Sequence, residues 1–235
     1  MKTNIRKSGG FTLVELLVVI AIIVTLAGVA TPVLLAQRKR ADHAEAIQNA
    51  KQVGYALFNF EGDYGRYPDE NTKTDIADED TDLAPDAGTA NEYLSQLVVT
   101  GYVDQEAPFY CRTDFTIDPD NDKSSGKLLE AGECGFTYIM RDASNGLNSS
   151  INSACALLAA PSAFNPADGY NSDVYNSRSV VLRIDMSVSD PRIDDQGIIR
   201  LRNGDDLYDN GADTPWGTSI EPVEIPPATG SAPAT

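Results

Sequence analysis

One carboxylate, Glu15, stands alone in the apolar run between Phe11 and Leu35. A charged side chain costs about 2.5–3.5 kcal/mol at the centre of a bilayer and less near its surface, so such a residue usually has a partner and a function. Phe11 lies four positions before Glu15, which puts both on one face of a helix. The run exceeds the roughly 20 residues that an α-helix needs to cross a membrane core. The spacing therefore predicts a membrane helix with one functional carboxylate near its start.

The residues before Glu15 form a short and specific pattern. A basic leader, residues 1–8, is followed by GGFTLVEL at positions 9–16. This pattern resembles the prepilin signal of the type IV pilin and type II secretion pseudopilin family. The resemblance implies that a prepilin peptidase cuts between Gly10 and Phe11 and that the new amine of Phe11 is N-methylated. It also implies that this amine meets Glu15 of the next subunit in a filament.

Two other interpretations of this segment are open. A plain membrane anchor would let Glu15 reach the membrane surface, and a secretory signal peptide would be cut near the small residues at 28–30. The apolar run is long for a signal peptide and continues past Ala30. The basic leader predicts a cytoplasmic N-terminus under the positive-inside rule, although Arg38-Lys39-Arg40 opposes it. We therefore expect a single-pass protein of the bacterial inner membrane with a periplasmic head, assembled into a periplasmic filament.

The helix is predicted to continue beyond the membrane. Residues 41–61 contain no proline, and their apolar residues recur at spacings of four and three, which is typical of an amphipathic helix with one buried stripe. The stripe consists of Ala46, Ala50, Val53, Leu57 and Phe60. We predict one helix from about residue 11 to about residue 60, kinked at Pro32, where a backbone hydrogen bond is missing.

The remaining sequence predicts an α+β, pilin-like fold, in which the long N-terminal helix packs on a small antiparallel sheet. Period-two patterns indicate strands, and residues 92–102 indicate a short helix. The strands are expected at residues 135–141, 154–160, 180–188 and 198–202, with a short helix as the alternative at 154–160. The expected segments are a leader (1–10), the apolar and amphipathic halves of the helix (11–35 and 36–61), a head (62–220) with an exposed acidic loop (69–91), and a disordered proline-rich tail (221–235).

Composition narrows the classes of function. The net charge is −17, and residues 41–235 alone carry 34 acidic and 12 basic residues. A domain this acidic repels phosphate backbones, so we expect no nucleic-acid partner. The sequence has no nucleophile elbow, no H-E-x-x-H and no P-loop, so we expect no enzyme and no catalytic cofactor.

The three cysteines predict one disulfide and one free thiol in an oxidising compartment. Cys111 and Cys134 flank a loop rich in Asp, Ser and Gly, and closing it would contribute roughly 3 kcal/mol in the chain-entropy model. Cys155 lies in an apolar run and is expected to be buried and free.

Two aspartate clusters are candidates for calcium. Residues 118–122 open like an EF-hand loop, but Lys123 stands where glycine is required. The second cluster comprises Asp205, Asp206, Asp209 and Asp213. Two or three of these carboxylates, with backbone carbonyls, are expected to bind one structural calcium ion, and an ordinary acidic turn is the alternative.

Taken together, the resemblance implies a structural subunit of a type II secretion pseudopilus. Its partners would be other copies, other pseudopilins, the prepilin peptidase and the inner-membrane secretion assembly platform. A type IV pilus or DNA-uptake pilin is the alternative within the family. A membrane-tethered extracytoplasmic binding protein or hydrolase is the alternative from another class.

Overall fold

The computed structural model of the chain describes residues 11–77, 88–124 and 126–230. The chain divides into two compact units, residues 1–39 and 40–235, each described by itself below. The helices are α1 (Leu13–Tyr64), α2 (Glu70–Ala77) and α3 (Ala90–Val99), with short 3-10 turns at Ala107–Phe109 and Pro166–Asp168.

Five strands form one antiparallel sheet in the order β4-β3-β2-β1-β7, and a two-stranded ribbon pairs β5 with β6. Their bounds are β1 Thr137–Met140, β2 Ala156–Ala160, β3 Val180–Arg183, β4 Val188–Ser189, β5 Arg192–Ile193, β6 Ile199–Arg200 and β7 Val223–Ile225. The four predicted strand regions are all occupied by strands, and the α+β, pilin-like fold is confirmed.

The predicted helix is confirmed and ends slightly later than expected. All five stripe residues have no exposed surface, because this face of α1 lies in the core of the second unit. The N–H of Gly65 donates to the Glu61 carbonyl at 2.7 Å, and Gly65 has φ +74°, a conformation that glycine adopts without steric cost. The helix continues through Pro32, so a kink there stays a prediction.

Helix α1 packs closely on the sheet at Gly54. A Cβ atom on Gly54 would lie 3.0 Å from both terminal methyl groups of Leu182 and 3.3 Å from the Met186 sulfur. Polar contacts add to this packing, since the Asn49 amide donates to the Tyr110 carbonyl at 2.9 Å and His43 Nε2 lies 3.2 Å from the Ser179 carbonyl. The stripe and these contacts hold the amphipathic half of α1 against the rest of the second unit.

The prediction of an exposed loop over residues 69–91 is wrong where the structure describes it. Residues 70–77 form α2, and Asp69 is fully buried before it. The Asp69 carboxylate accepts the N–H of Asn71 and of Thr72, both at 2.8 Å, and so caps the helix. Residues 78–87 lie outside the described residues.

The predicted disordered tail is also wrong for residues 221–230. Residues 223–225 form β7, which pairs with β1 at the edge of the sheet, and Ile225 and Ala228 are buried. The Ala228 N–H donates to the Asn91 side chain at 2.8 Å. Prolines flank β7, and an edge strand tolerates them because one side of its backbone needs no ladder partner. Residues 231–235 lie outside the described residues.

Candidate functional site: the apolar segment that begins at Glu15

Among the described residues, the apolar half of α1 is not covered by other side chains. Its large hydrophobic side chains are all exposed, from Phe11 at 84% to Leu35 at 59%. Within the described residues, α1 is the helix that is long and apolar enough to cross a membrane. Exposed apolar patches of this extent mark surfaces that lipid or another protein covers.

Glu15 caps the start of α1. Its Oε2 accepts the backbone N–H of Thr12 at 2.9 Å and the Thr12 hydroxyl at 2.8 Å. The Thr12 hydroxyl oxygen in turn accepts the Glu15 N–H at 3.3 Å. This reciprocal arrangement is a capping box, which the pattern T-x-x-E before an apolar run signals in the sequence.

The capping box leaves part of the carboxylate available. Both accepted hydrogen bonds use Oε2, and Oε1 accepts none from any described residue. Glu15 is exposed, so a cation from outside the chain can approach Oε1 without breaking the cap. Phe11 and Thr12 precede the first helical residue, and Gly10 lies outside the described residues.

The three cysteines are buried free thiols in the structure, contrary to the predicted bridge between Cys111 and Cys134. The two are nevertheless neighbours, since a Cβ on Gly135 would lie 2.4 Å from Cys111 Sγ. The Cys134 thiol is directed to the Phe136 carbonyl at 3.6 Å, which satisfies it without a bridge. Burial raises the pKa of Cys134 to about 12 and that of Cys155 to about 11. These thiols are therefore protonated near neutral pH, and Cys155 is buried and free as predicted.

The aspartate cluster at 205–213 does not bring three carboxylates together. The side chain of Asp209 accepts the Asp206 N–H at 3.0 Å, and that of Asp206 accepts the Tyr208 N–H at 3.0 Å. These bonds are typical of an acidic turn. Calcium binding by Asp205, Asp206, Asp209 and Asp213 stays a prediction.

A different trio of carboxylates does converge. Among the described residues, oxygens of Glu106, Asp120 and Glu133 lie within 4.8 Å of one another. Glu106 accepts the N–H of Asn121 at 2.8 Å, and Glu133 accepts those of Asp120 and Glu130 at 3.1 and 2.6 Å. The two buried glutamates thus organise the loop that contains Asp120. The sequence does not reveal this trio, because its members are separated along the chain.

Comparison with known proteins agrees with the fold and with the segment around Glu15. Residues 5–31 match the family model of the prokaryotic N-terminal methylation motif. The chain is 38% identical over 74 residues to the type IV major pilin protein PilE1 of Neisseria gonorrhoeae, covering 32% of this chain and 45% of that pilin. No solved structure matches it significantly.

The fold is pilin-like, and the methylation motif and the relatives support a pilin or pseudopilin family. Within that class the chain is similar to the type II secretion system core protein G of Escherichia coli K12, with 33% identity over 93 residues that cover 39% of this chain and 64% of that protein. It is also 36% identical over 63 residues to the protein of that name from Aeromonas hydrophila, covering 27% of this chain and 44% of that protein. The chain thus spans less than two thirds of each relative named here.

Proposed function

We propose that the chain is a structural subunit of a type II secretion pseudopilus, cut by a prepilin peptidase and polymerised through its N-terminal helix. One observation carries the proposal. The apolar half of α1 is exposed over its whole length and carries, near its start and inside a methylation motif, a carboxylate whose Oε1 accepts no hydrogen bond from any described residue.

The assembly step follows from the chemistry of that carboxylate. Cleavage after Gly10 gives Phe11 a cationic amine. In a filament, the amine of one copy meets Oε1 of Glu15 in the next, while Oε2 stays with Thr12. The pair forms where apolar segments exclude water, so its attraction is stronger than in water and offsets the cost of burying the carboxylate. Packing the apolar segments against one another replaces lipid around them.

The proposal includes partners and a location. The N-terminus lies in the cytoplasm and the head in the periplasm. There the chain meets other pseudopilins and the inner-membrane assembly platform. The prepilin-type signal and the apolar helix indicate membrane anchoring, which supports this arrangement.

A type IV pilus or DNA-uptake filament is the second candidate, favoured by the likeness to a type IV major pilin. Deletion of the gene in its native cells separates the two. A pseudopilus subunit predicts loss of protein export into the medium, with surface fibres and DNA uptake intact. A pilus subunit predicts loss of fibres or of DNA uptake, with export intact.

The assembly proposal is tested with Glu15→Gln, which keeps the size of the side chain and removes its charge. We expect membrane insertion and cleavage to continue and filaments to be lost, as measured by shearing and electron microscopy. Thr12→Val is the matched control, because it removes the hydroxyl of the cap and leaves Oε1 unchanged, so filaments should persist. Normal filament yield from Glu15→Gln would contradict a role for the charge between subunits.

A further inference from the structure

Five arginines line one pocket in a protein that is otherwise strongly acidic. The pocket has a volume of about 610 Å³ and is lined by Arg178, Arg183, Arg192, Arg200 and Arg202, with Asp190 as its acidic member. These five are drawn from only 12 basic residues in positions 41–235. Such a concentration of positive charge in one concave place requires an explanation.

Strand pairing sets three of these arginines in a row. Arg178 pairs with Arg192, and Arg192 pairs with Arg200 across the β5–β6 ribbon. Directly paired residues project from the same face of a sheet. Like charges in this arrangement destabilise a sheet, so the row lowers the stability of the empty head.

The chain neutralises only part of this charge. Arg178 pairs with Asp190 at 3.2 Å and Arg200 with Asp194 at 2.9 Å. Arg183 donates to the Ala154 carbonyl, which fixes its guanidinium in place. Arg192, at the centre of the row, and Arg202 form no ion pair with any described residue, and both are exposed. Two unpaired guanidiniums therefore face an open pocket whose other arginines are already held.

We propose that this pocket binds a compact oxyanion of the phosphate type that carries at least two negative charges. Guanidinium groups present forked donors that match phosphate oxygens, and binding would relieve the repulsion along the row. A long polyanion fits less well, because the part that extends beyond the pocket would be repelled by the acidic surface of the head. A small ligand is shielded from that surface, since charges farther away than about 8 Å are largely screened at physiological salt. The site is independent of the assembly surface at Glu15.

The test uses the full chain in phosphatidylcholine nanodiscs, titrated with sodium pyrophosphate by isothermal titration calorimetry at about 0.15 M ionic strength, where distant charges are screened. We expect saturable binding that Arg192→Gln/Arg202→Gln weakens by at least about tenfold. The matched control is Lys51→Gln/Arg141→Gln, which removes two exposed positive charges outside the pocket and should change affinity by less than about twofold. Circular dichroism establishes that each variant is folded. If the double variant is not, Arg202→Gln alone replaces it, with weakened binding again expected.

Nanodiscs that contain phosphatidic acid, whose terminal phosphate can carry two negative charges, distinguish a free ligand from a lipid headgroup. If headgroups occupy the pocket, pyrophosphate binds the wild type more weakly in these discs, and if the ligand is free, its affinity is unchanged. Both results keep the oxyanion site. The proposal is overturned if the wild type shows no saturable binding in phosphatidylcholine discs, or if the control variant loses as much affinity as the pocket variant. It is also overturned if the arginines instead hold a second copy of the chain, shown by self-association that the pocket variant abolishes without any pyrophosphate binding.

Discussion

Thr12 and Asp69 lie at the starts of α1 and α2, where a carboxylate accepts backbone N–H groups, and both arrangements follow from short local patterns. T-x-x-E at residues 12–15 gives the capping box of α1, and D-x-x-T at residues 69–72 gives the cap of α2. The sequence-based prediction considers only the charge of Glu15 in the first pattern, and it assigns Asp69 in the second to an exposed acidic loop. Local hydrogen-bonding patterns of this kind are legible in a sequence. The convergence of Glu106 with Glu133 is not, because it depends on how distant loops fold.

At the scale of residues, cleavage of the leader is predicted at one peptide bond, between Gly10 and Phe11. Because Gly10-Phe11 lies in the matched methylation motif, the membrane form of the protein should begin at Phe11 and carry one additional methyl group. Intact-mass measurement of the purified protein gives both results at once. A mature chain that begins at Thr31, or one that keeps Met1, is incompatible with this processing.

Asp69→Ala should destabilise the head. The buried carboxylate accepts three backbone N–H groups, from Asn71, Thr72 and Gly146, and removing it leaves them without their acceptor. We expect a loss of about 1–3 kcal/mol in the free energy of unfolding, measured by denaturant titration of the full chain in detergent.

The control for this variant is Asp142→Ala. Asp142 accepts the N–H of Ser144 and of Asn145 in the same manner but is exposed, so water replaces the lost bonds. Its loss of stability should be smaller than that of Asp69→Ala. Equal losses would show that burial does not determine the cost at Asp69.

At the scale of helices and strands, the spacing of apolar residues predicts the elements that have one regular buried face. The spacing of Ala46, Ala50, Val53, Leu57 and Phe60 predicted the buried stripe of α1, and alternation predicted the regions of β1 to β3. Strand β7 was missed because its flanking prolines and short length suggest disorder. The row of arginines is not apparent in the sequence. Its members are separated along the chain, and the pairing of β5 with β6 is needed to bring them together.

The contact between α1 and the sheet predicts opposite outcomes for two glycines of one helix. Gly62→Ala should stabilise the protein by about 0.5–1 kcal/mol, since alanine favours a helix and nothing lies within 4 Å of the added carbon. Gly54→Ala should lack that gain, because its new Cβ must displace Leu182 and Met186. Denaturant titration of the two variants measures the difference. A Gly54→Ala variant as stable as Gly62→Ala would mean that the helix and sheet adjust freely at this contact.

At the scale of the whole molecule, buried carboxylates tie stability to pH. Burial raises the pKa of Glu106, Glu133 and Glu224 above the ordinary value of 4.5. Each therefore contributes stability that is fully present below its unfolded-state pKa and is lost as the pH rises through its folded-state pKa. The pKa values of Asp122, Asp142, Asp185 and Asp194 are lowered from 3.8 by hydrogen bonds. These four aspartates contribute stability in the opposite sense. It is present above their unfolded-state pKa and is lost only in more acidic solution, as the pH falls through their folded-state pKa.

The free energy of unfolding should consequently increase when the pH falls from 7 to 5. Glu106→Gln/Glu133→Gln should reduce that increase, because glutamine does not titrate yet keeps an oxygen for the backbone N–H groups. Denaturant titration at both pH values measures the effect, with Asp122→Asn as the control that should leave the increase unchanged. A fall in stability towards pH 5 in the wild type would show that other groups dominate.

Strand β7 imposes an order on how the head is completed. Its partner β1 lies at residues 137–140, whereas β7 leaves the ribosome only after β1 to β6 have been translated. The neighbouring Ala228 and Pro226 also bond back to Asn91 and Ala90 at the start of α3. The sheet edge and the start of α3 therefore stay incomplete until residues 223–228 have been translated. The apolar half of α1, by contrast, precedes all of the described strands, so it is translated before the head can reach its final structure.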